Sequence, residues 1–252
     1  MRRGLLIIAC ASMVASVVHA KAKAPVDLDQ ALDEALETEE VAEDERQPVT
    51  QLLDPGQLEA MRATRLEEEV QLSLELIALN GDNCESAPPV LFRLGDLYWE
   101  KSKRAFFMQN DMKLSEEERA VGTRSMAEYQ GETVRWYKQI VEQCPDYENM
   151  AKVLYYLGRT LTEMDRSADG AVYFKQLIQN HSESDWAASG WFMIGEYFFN
   201  VESDVEQAMK AYERVHAYQS TRVYPFAVYK EGWCHINEGS WELALRRFKK
   251  VI

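Results

Sequence analysis

Hydrophobic positions recur every three or four residues along most of the chain, which is the period of an amphipathic helix. The first clear stripe is formed by Leu66, Val70, Leu74 and Ile77. Pro55 is typical of a first helical turn and Asn80-Gly81 of a helix end, so we predict an N-terminal helix within residues 51–80. No later segment alternates between apolar and polar residues, and the pattern predicts an all-α protein.

The first twenty residues have a different pattern, with two arginines near the start and then a short apolar run. That run is near fifteen residues long, which is short for a membrane-spanning helix, and Val-His-Ala resembles a cleavage site. We predict a signal peptide over residues 1–20, cleaved after Ala20, and a secreted mature protein. Two alternatives stay open: an uncleaved anchor helix, and a lipid on Cys10, because "IIAC" is similar to a lipoprotein-processing box.

Acidic charge is concentrated in the segment that follows. Between Pro25 and Thr50 there are ten Asp or Glu residues, one basic residue, Arg46, and no aromatic residue. This composition is typical of disordered chain, and we predict an acidic tether over residues 21–50. The whole chain has a net charge of −14 and no block of Lys or Arg, so a nucleic-acid partner is not expected.

Two markers recur at a shared spacing in the second half of the chain. Gly158, Gly195 and Gly232 are 37 residues apart, and each lies in an apolar helical segment. An aromatic residue follows each glycine after sixteen or seventeen residues. The aromatic series is Tyr137, Phe174, Tyr212 and Phe248, with spacings of 37, 38 and 36. A shared period in two independent markers predicts a repeat built from pairs of helices.

This pattern resembles the tetratricopeptide repeat (TPR). Its helix A motif is present as Trp191, Ile194, Gly195 and Phe198, and its small-x-x-x-aromatic helix B motif as Ala208 and Tyr212. The resemblance implies a right-handed superhelix of antiparallel helix pairs, with about four repeats in a domain that covers residues 81–252. TPR proteins bind other proteins, so the resemblance also implies a protein-interaction role.

The first repeat is longer than the others. Gly95 to Tyr137 spans 42 residues, about 26 more than the corresponding distance in the later repeats. We predict that both helices of the first hairpin run long and turn near residues 110–113, with a capping box that begins at Ser115. The alternative is a disordered insert, which two glycines in the segment favour.

The last repeat also departs from the pattern. Glu231 occupies a helix A position that is apolar in the other repeats, so weaker packing is expected there. The final stretch, "WELALRRFKKVI", is an uncapped amphipathic helix B with Phe248 at the aromatic position. We expect its apolar face to pack on a further repeat beyond Ile252, in which case the last repeat is truncated and the chain is the front part of a longer protein.

Three cysteines remain after the predicted cleavage. Cys84 precedes the first helix A, and Cys144 ends the first helix B, and these two ends meet in an antiparallel hairpin. In an oxidising compartment we therefore predict a disulfide between them, which leaves Cys234 as a buried free thiol. The alternative is that each cysteine is simply a small buried hydrophobic residue.

Candidate catalytic and metal-binding residues are scarce. No histidine lies at ligand spacing from another histidine or a cysteine, and Cys234 and His235 are adjacent, so their side chains diverge on a helix. The glutamate runs are typical of solvated faces, and the sequence contains no phosphate loop or dinucleotide motif. We predict a protein that is not an enzyme and that binds no cofactor or metal.

In the TPR family, helix A lines the concave groove where peptides bind. Carried over by position, the resemblance implies a partner-binding groove made of Phe92, Trp99, Lys152, Tyr155, Arg159, Phe192, Phe199, Tyr229 and Trp233. Most of the Lys and Asn residues of the family's acidic-tail binders are missing, so the expected groove is aromatic with a basic spot at Lys152 and Arg159. The alternative is that several of these rings lie in the core between repeats.

The repeat style, especially "YKEGWCHINEGSWELALRRFKKVI", is similar to that of TPR proteins of the bacterial cell envelope. That resemblance implies a non-catalytic periplasmic scaffold in outer-membrane assembly, a Tol-Pal-type system or gliding machinery, with other envelope proteins or peptides as partners. Membrane contact would come only through a lipid on Cys10 or an uncleaved signal. The alternative function is the helical superstructure of a peptidoglycan-acting enzyme, such as a lytic transglycosylase, with its catalytic domain beyond Ile252.

Overall fold

The computed structural model describes residues 55–80 and 83–251. The repeats lie in the compact unit Glu59–Ile252. The predicted signal peptide and acidic tether lie outside the described residues. Within the described part, all regular structure is helical, which confirms the all-α prediction, and none of these helices is both long and apolar enough to cross a membrane.

Nine helices form the described part of the chain. In order they are α1 (Pro55–Asn80), α2 (Ala87–Asn110), α3 (Glu116–Gln143), α4 (Met150–Glu163), α5 (Ser167–Asn180), α6 (Ala187–Tyr197), α7 (Val205–Arg214), α8 (Tyr224–Asn237) and α9 (Trp241–Val251). A π-helical turn, Phe198–Glu202, follows α6, and a 3₁₀ turn, Val215–Tyr218, follows α7. The helices pair as four hairpins, α2/α3, α4/α5, α6/α7 and α8/α9, and each hairpin contacts the next.

The first hairpin is long because its first helix continues without interruption to Asn110 and its second helix already begins at Glu116. Ser115 and Glu118 form the predicted capping box, in which the Ser115 hydroxyl accepts from the Glu118 backbone N–H. Gly122 marks a close crossing, because a Cβ atom there would lie 2.8 Å from the backbone nitrogen of Gln109. The alternative of a disordered insert is therefore wrong, and the glycine that favoured it packs the two helices together.

The glycine and aromatic markers meet within each hairpin. A Cβ atom built on Gly95 would lie 2.3 Å from the ring of Tyr137, and one on Gly195 would lie 2.4 Å from the ring of Tyr212. Gly158 stands in the same relation to Phe174, and Gly232 to Phe248. Each helix B ring thus fills the space that a helix A side chain would need, which explains why the two markers share one period.

Helix α1 packs on the first hairpin through one of its apolar stripes. Leu66 and Val70 lie in the same buried cluster as Leu91 of α2, and Lys101 pairs with Glu67 at 2.6 Å. Two leucines of α1 outside this stripe, Leu72 and Leu79, are exposed. The helix predicted from the first stripe is therefore an extension of the repeat core rather than an isolated element.

A disulfide joins Cys84, just before α2, to Cys144, at the end of α3, with the two Cα atoms 5.4 Å apart. This is the pairing expected for the two ends of an antiparallel hairpin. Cys234 is fully buried on α8 with a free thiol. The cross-link closes the long first hairpin at the end opposite its turn.

The expectation of weak packing around Glu231 in the last hairpin is wrong. Its side chain is fully buried on α8 and lies between His216 and Arg247, which provide two positively charged or hydrogen-bonding partners. The site is therefore a specific polar contact between the third and fourth hairpins rather than a packing defect.

Candidate partner-binding groove

The predicted groove residues lie on the four A helices, α2, α4, α6 and α8, except for Phe199, which lies in the π-helical turn after α6. They occupy repeating positions relative to the helix A glycine. The first position, three residues before the glycine, is always aromatic: Phe92, Tyr155, Phe192 and Tyr229. Each of these rings contacts the helix B ring of its own hairpin, with centroid distances of 5.3, 6.1, 5.8 and 5.5 Å in chain order. They form the outer layer of each hairpin core.

Exposure of this aromatic row increases toward the last hairpin. Phe92 is buried, with contacts to Tyr137 and Tyr156, so it belongs to the core and the groove assignment for this residue is corrected. Tyr155 and Phe192 are half-buried, and burial raises the pKa of Tyr155. Tyr229 is 43% exposed. The alternative of inter-repeat burial therefore holds at one end of the row and not at the other.

The residues directly after the helix A glycines form a second row. Whether the residue in this row is acidic depends on whether the helix B ring of the same hairpin is tyrosine or phenylalanine. Asp96 accepts a hydrogen bond from the Tyr137 hydroxyl at 2.7 Å, and Glu196 accepts one from the Tyr212 hydroxyl at 2.6 Å. Burial, followed by the neighbouring carboxylate, raises the pKa of both tyrosines. In the other two hairpins helix B carries a phenylalanine, and the same position is Arg159 or Trp233. The two carboxylates of the row are thus engaged inside their hairpins.

Trp99 joins the first hairpin to the second through a cluster of charged groups. Its indole N–H donates to Glu163 Oε2 at 3.0 Å, and Arg159 Nε donates to Glu163 Oε1 at 2.9 Å. The Arg159 guanidinium lies 4.9 Å from the indole centroid, and Lys103 Nζ lies 3.7 Å from it, within cation–π range. A cavity of about 410 Å³ opens beside this cluster, with Phe106 and Gln109 among its lining residues.

The lysines of the groove divide into two kinds. Lys230 pairs with Glu196 at 2.8 Å and lies 5.4 Å from the Phe199 ring. Lys152 lies 4.3 Å from the Phe92 ring and, like Lys103, has no carboxylate of residues 55–80 or 83–251 within ion-pair distance. Lys103 and Lys152 are therefore two cations of the groove without an ion-pair partner among the described residues, although the chain as a whole is acidic.

The last hairpin presents its aromatic groove residues to solvent. Phe226 is 61% exposed and Trp233 is 42% exposed, next to Tyr229. The Tyr229 and Trp233 rings lie 6.2 Å apart, and both contact Phe248 behind them. Large rings clustered in this way on a surface are typical of protein contact sites.

Cys234 and His235 are adjacent on α8, and each has its own surroundings. Burial raises the pKa of the Cys234 thiol to about 12, so at neutral pH it is protonated rather than a thiolate nucleophile. The neighbouring His235 lies 3.3 Å from Glu238 through Nδ1. Among residues 55–80 and 83–251, no three His, Cys, Asp or Glu side chains are arranged to hold a metal ion.

Comparisons with known proteins agree with this architecture. A family model described as a tetratricopeptide repeat matches residues 152–184, which contain most of α4 and all of α5. The fold is that of a tetratricopeptide-repeat protein. Two crystal structures of MamA are similar to this chain, each with a TM-score of 0.53. The first is 15% identical and covers 79% of this chain and 93% of its own, and the second is 14% identical and covers 77% and 84%. At these identities the likeness concerns the fold alone, and no curated protein has a significant sequence match.

Several groove residues of this TPR fold were missed by the sequence analysis. Lys103 and Glu163 each lie four residues after a predicted groove residue, Trp99 and Arg159, so helical spacing could have found them. Lys230 reaches Glu196 from the next hairpin, and no local spacing indicates that contact. The predicted set is thus not one continuous surface, because Phe92 is covered while Tyr229 and Trp233 are open.

Proposed function

We propose that this protein is a non-catalytic scaffold whose A helices bind an extended segment of another protein. The observation that carries the proposal is the exposed ring cluster of Phe226, Tyr229 and Trp233 on α8. Aromatic side chains offer a large contact area at a low entropic cost, and they are enriched among the residues that dominate binding energy. The TPR fold supports the proposal, because it displays its A helices side by side as a binding surface.

The charges of the groove favour an acidic partner segment. Asp96, Glu163 and Glu196 already accept hydrogen bonds from tyrosine, tryptophan, lysine or arginine side chains of this chain. Lys103 and Lys152 remain without a carboxylate partner among the described residues. Acidic residues farther along an extended segment that runs from the fourth hairpin toward the first could pair with these two cations, so binding should weaken as the salt concentration rises.

We further propose that the protein acts in the periplasm, within a complex of the cell envelope. The signal-like pattern of residues 1–20 supports export, and the disulfide between Cys84 and Cys144 is typical of an oxidising compartment. Mass spectrometry of the mature N-terminus tests the proposal. A chain that begins at Lys21 is the expected result, an intact Met1 contradicts export with cleavage, and a lipid on Cys10 would place the protein on a membrane surface.

The binding site is tested by comparing two exposed tryptophans. Trp233→Ala removes a groove ring, whereas Trp241→Ala removes a ring that is 65% exposed at the start of α9, a B helix. Partners are captured from envelope extract with the wild-type protein and both variants, and their affinities are then measured with purified partner. Loss of a buried aromatic anchor typically costs about 1–3 kcal/mol of binding energy, so Trp233→Ala should lose the partner and Trp241→Ala should retain it. Equal retention by both variants would show that the groove is not the site.

A further inference from the structure

The carboxylate of Glu231 is the most completely buried charged group among the described residues. Its side chain has no solvent exposure, and its Oε1 lies 2.5 Å from Nε2 of His216. Its Oε2 lies 2.9 Å from Nε of Arg247, but the N–H does not point at the oxygen, so this contact is an ion pair rather than a hydrogen bond. The two partner side chains are about one-third exposed, at 31% and 33%. A buried anion thus lies between two partly solvated partners.

These three residues come from three elements of two hairpins. His216 belongs to the 3₁₀ turn that ends the third hairpin, while Glu231 on α8 and Arg247 on α9 belong to the fourth. The preceding residue, Lys230, also reaches the third hairpin, where it pairs with Glu196 at 2.8 Å. Two consecutive residues of α8 therefore make polar contacts with the neighbouring hairpin, Lys230 with Glu196 and Glu231 with His216.

The fully buried apolar residues at this joint are mostly small. The buried cluster between the third and fourth hairpins includes Ala188, Ala208, Ala227 and Cys234 along with Tyr212 and Val215, and larger side chains such as Phe199, Tyr218 and Tyr224 pack against it while only partly buried. The cluster that joins the first two hairpins is instead rich in buried leucine, with Leu91, Leu94, Leu154, Leu157 and Leu161. A buried polar contact that crosses the joint adds a directional constraint to this packing, so it can contribute to the orientation of the last hairpin.

We propose that Glu231 is a positioning residue that sets the orientation of the α8/α9 hairpin against the α6/α7 hairpin. Because Tyr229 and Trp233 lie on the same helix as Glu231, this contact also sets where they stand relative to Phe199 in the groove. The part concerning the groove rests on the proposed function, whereas the orientation itself does not. A buried ion pair adds little net stability, because desolvation of the charges offsets their attraction, but its geometry is directional.

Glu231→Leu tests whether this contact sets the orientation of the hairpin rather than its stability. Leucine restores the apolar side chain that the repeat pattern has at this position, and His216 and Arg247 can turn toward water because they are already partly exposed. Removal of one member of a buried pair is strongly destabilising only when the other charge is left buried, and here both partners can reach water, so Tm should change little. The orientation of the α8/α9 hairpin against the α6/α7 hairpin should nevertheless shift or become less well defined.

Spin labels attached through a ketone-bearing non-natural amino acid at positions 207 and 249 report that orientation without touching the cysteines. Gln207 lies on α7 and Lys249 on α9, and both are exposed. Pulsed electron–electron resonance should give a narrow distance distribution for the wild-type chain and a shifted or broadened one for Glu231→Leu. A label pair at the exposed positions 172 and 207, on α5 and α7, spans a joint that Glu231 does not contact, so it should be unchanged and serves as the control.

Glu231→Gln, which keeps the size of the side chain and removes its charge, provides a second variant if leucine prevents folding. It should shift or broaden the 207–249 distribution to a smaller extent than leucine. Folded variants that both retain the wild-type distribution would overturn the proposal. The distance measurement uses no partner protein. The proposed binding groove can therefore fail in the comparison of the two tryptophan variants while the positioning role of Glu231 holds, and the reverse is also possible.

Discussion

Tyr212 and Glu196 are joined across the third hairpin by a hydrogen bond of 2.6 Å from the tyrosine hydroxyl to the carboxylate. Tyr137 and Asp96 make the same bond in the first hairpin, and in both cases the acid directly follows the helix A glycine. Hairpins with phenylalanine on helix B have no acid at that position. The residue after the glycine is therefore matched to the hydroxyl of the helix B ring.

The first prediction concerns this bond. Tyr212→Phe removes the hydroxyl, while Glu196 keeps Lys230 and Asn200 as partners. Hydrogen bonds to charged groups contribute about 1.5–3 kcal/mol, so the free energy of unfolding should fall by about that amount. Tyr197→Phe is the control, because its hydroxyl bonds to Glu202 on the surface, and its effect should be close to zero. Denaturant unfolding measures both, and equal effects would contradict the assignment.

The second prediction concerns alkaline pH. Burial raises the pKa of Tyr137 and of Tyr212 above the ordinary value of 10.0, so the folded chain keeps two protons that the unfolded chain loses near that pH. Burial raises the pKa of Cys234 to about 12, from 9.0, with the same sign. The unfolded state then binds fewer protons at alkaline pH. The stabilisation from these three groups should be fully present below about pH 9 and should be lost as pH rises further.

Denaturant unfolding between neutral and alkaline pH checks this dependence. The variant in which both Tyr137 and Tyr212 are phenylalanine should be less stable at neutral pH but should show a shallower decline above pH 10.0. An identical decline in the wild type and the double variant would show that other groups cause the loss.

The third prediction concerns the cross-link. Cys84 and Cys144 enclose a separation of 60 residues, and in the chain-entropy account a loop of this length gives about 4 kcal/mol of stabilisation. Replacing both cysteines by serine should therefore lower the free energy of unfolding by about 2–4 kcal/mol, since measured effects often fall below the ideal. Thiol counting on the denatured, unreduced chain from Lys21 should find Cys234 alone. Three free thiols would contradict the bridge.

The fold could be predicted because its determinants are repeated or local. Gly195 and Tyr212 recur as a pair because one ring fills the space above one glycine in every hairpin. The turn of the first hairpin was predictable because Ser115 and Glu118 satisfy each other within one helical turn. Such relations depend on residues at fixed offsets, and a single sequence records those offsets directly.

The groove was predicted less well because exposure depends on the neighbouring hairpin. Phe92 and Tyr229 hold the same position in their repeats, yet Lys152 of the next hairpin covers Phe92 and only Tyr229 is open. Glu231 was misjudged for a related reason, since its partners lie 15 residues before it and 16 residues after it. That offset is close to the spacing of the glycine and ring markers, so a search for charge pairs at the helix-to-helix spacing could have found them.

The last prediction uses two helical glycines with opposite surroundings. A Cβ atom on Gly195 would lie 2.4 Å from the Tyr212 ring, which is buried and held by Glu196, so Gly195→Ala forces an overpacked core. Overpacking typically costs about 1–3 kcal/mol. Gly131 lies inside α3 with nothing within 4 Å of a Cβ atom, so Gly131→Ala should stabilise the helix by about 0.5–1 kcal/mol. Thermal and denaturant unfolding should show a lower Tm and a lower free energy of unfolding for Gly195→Ala, and higher values of both for Gly131→Ala. If Gly195→Ala were neutral, the close packing of helix A on the helix B ring would not be what fixes the repeat.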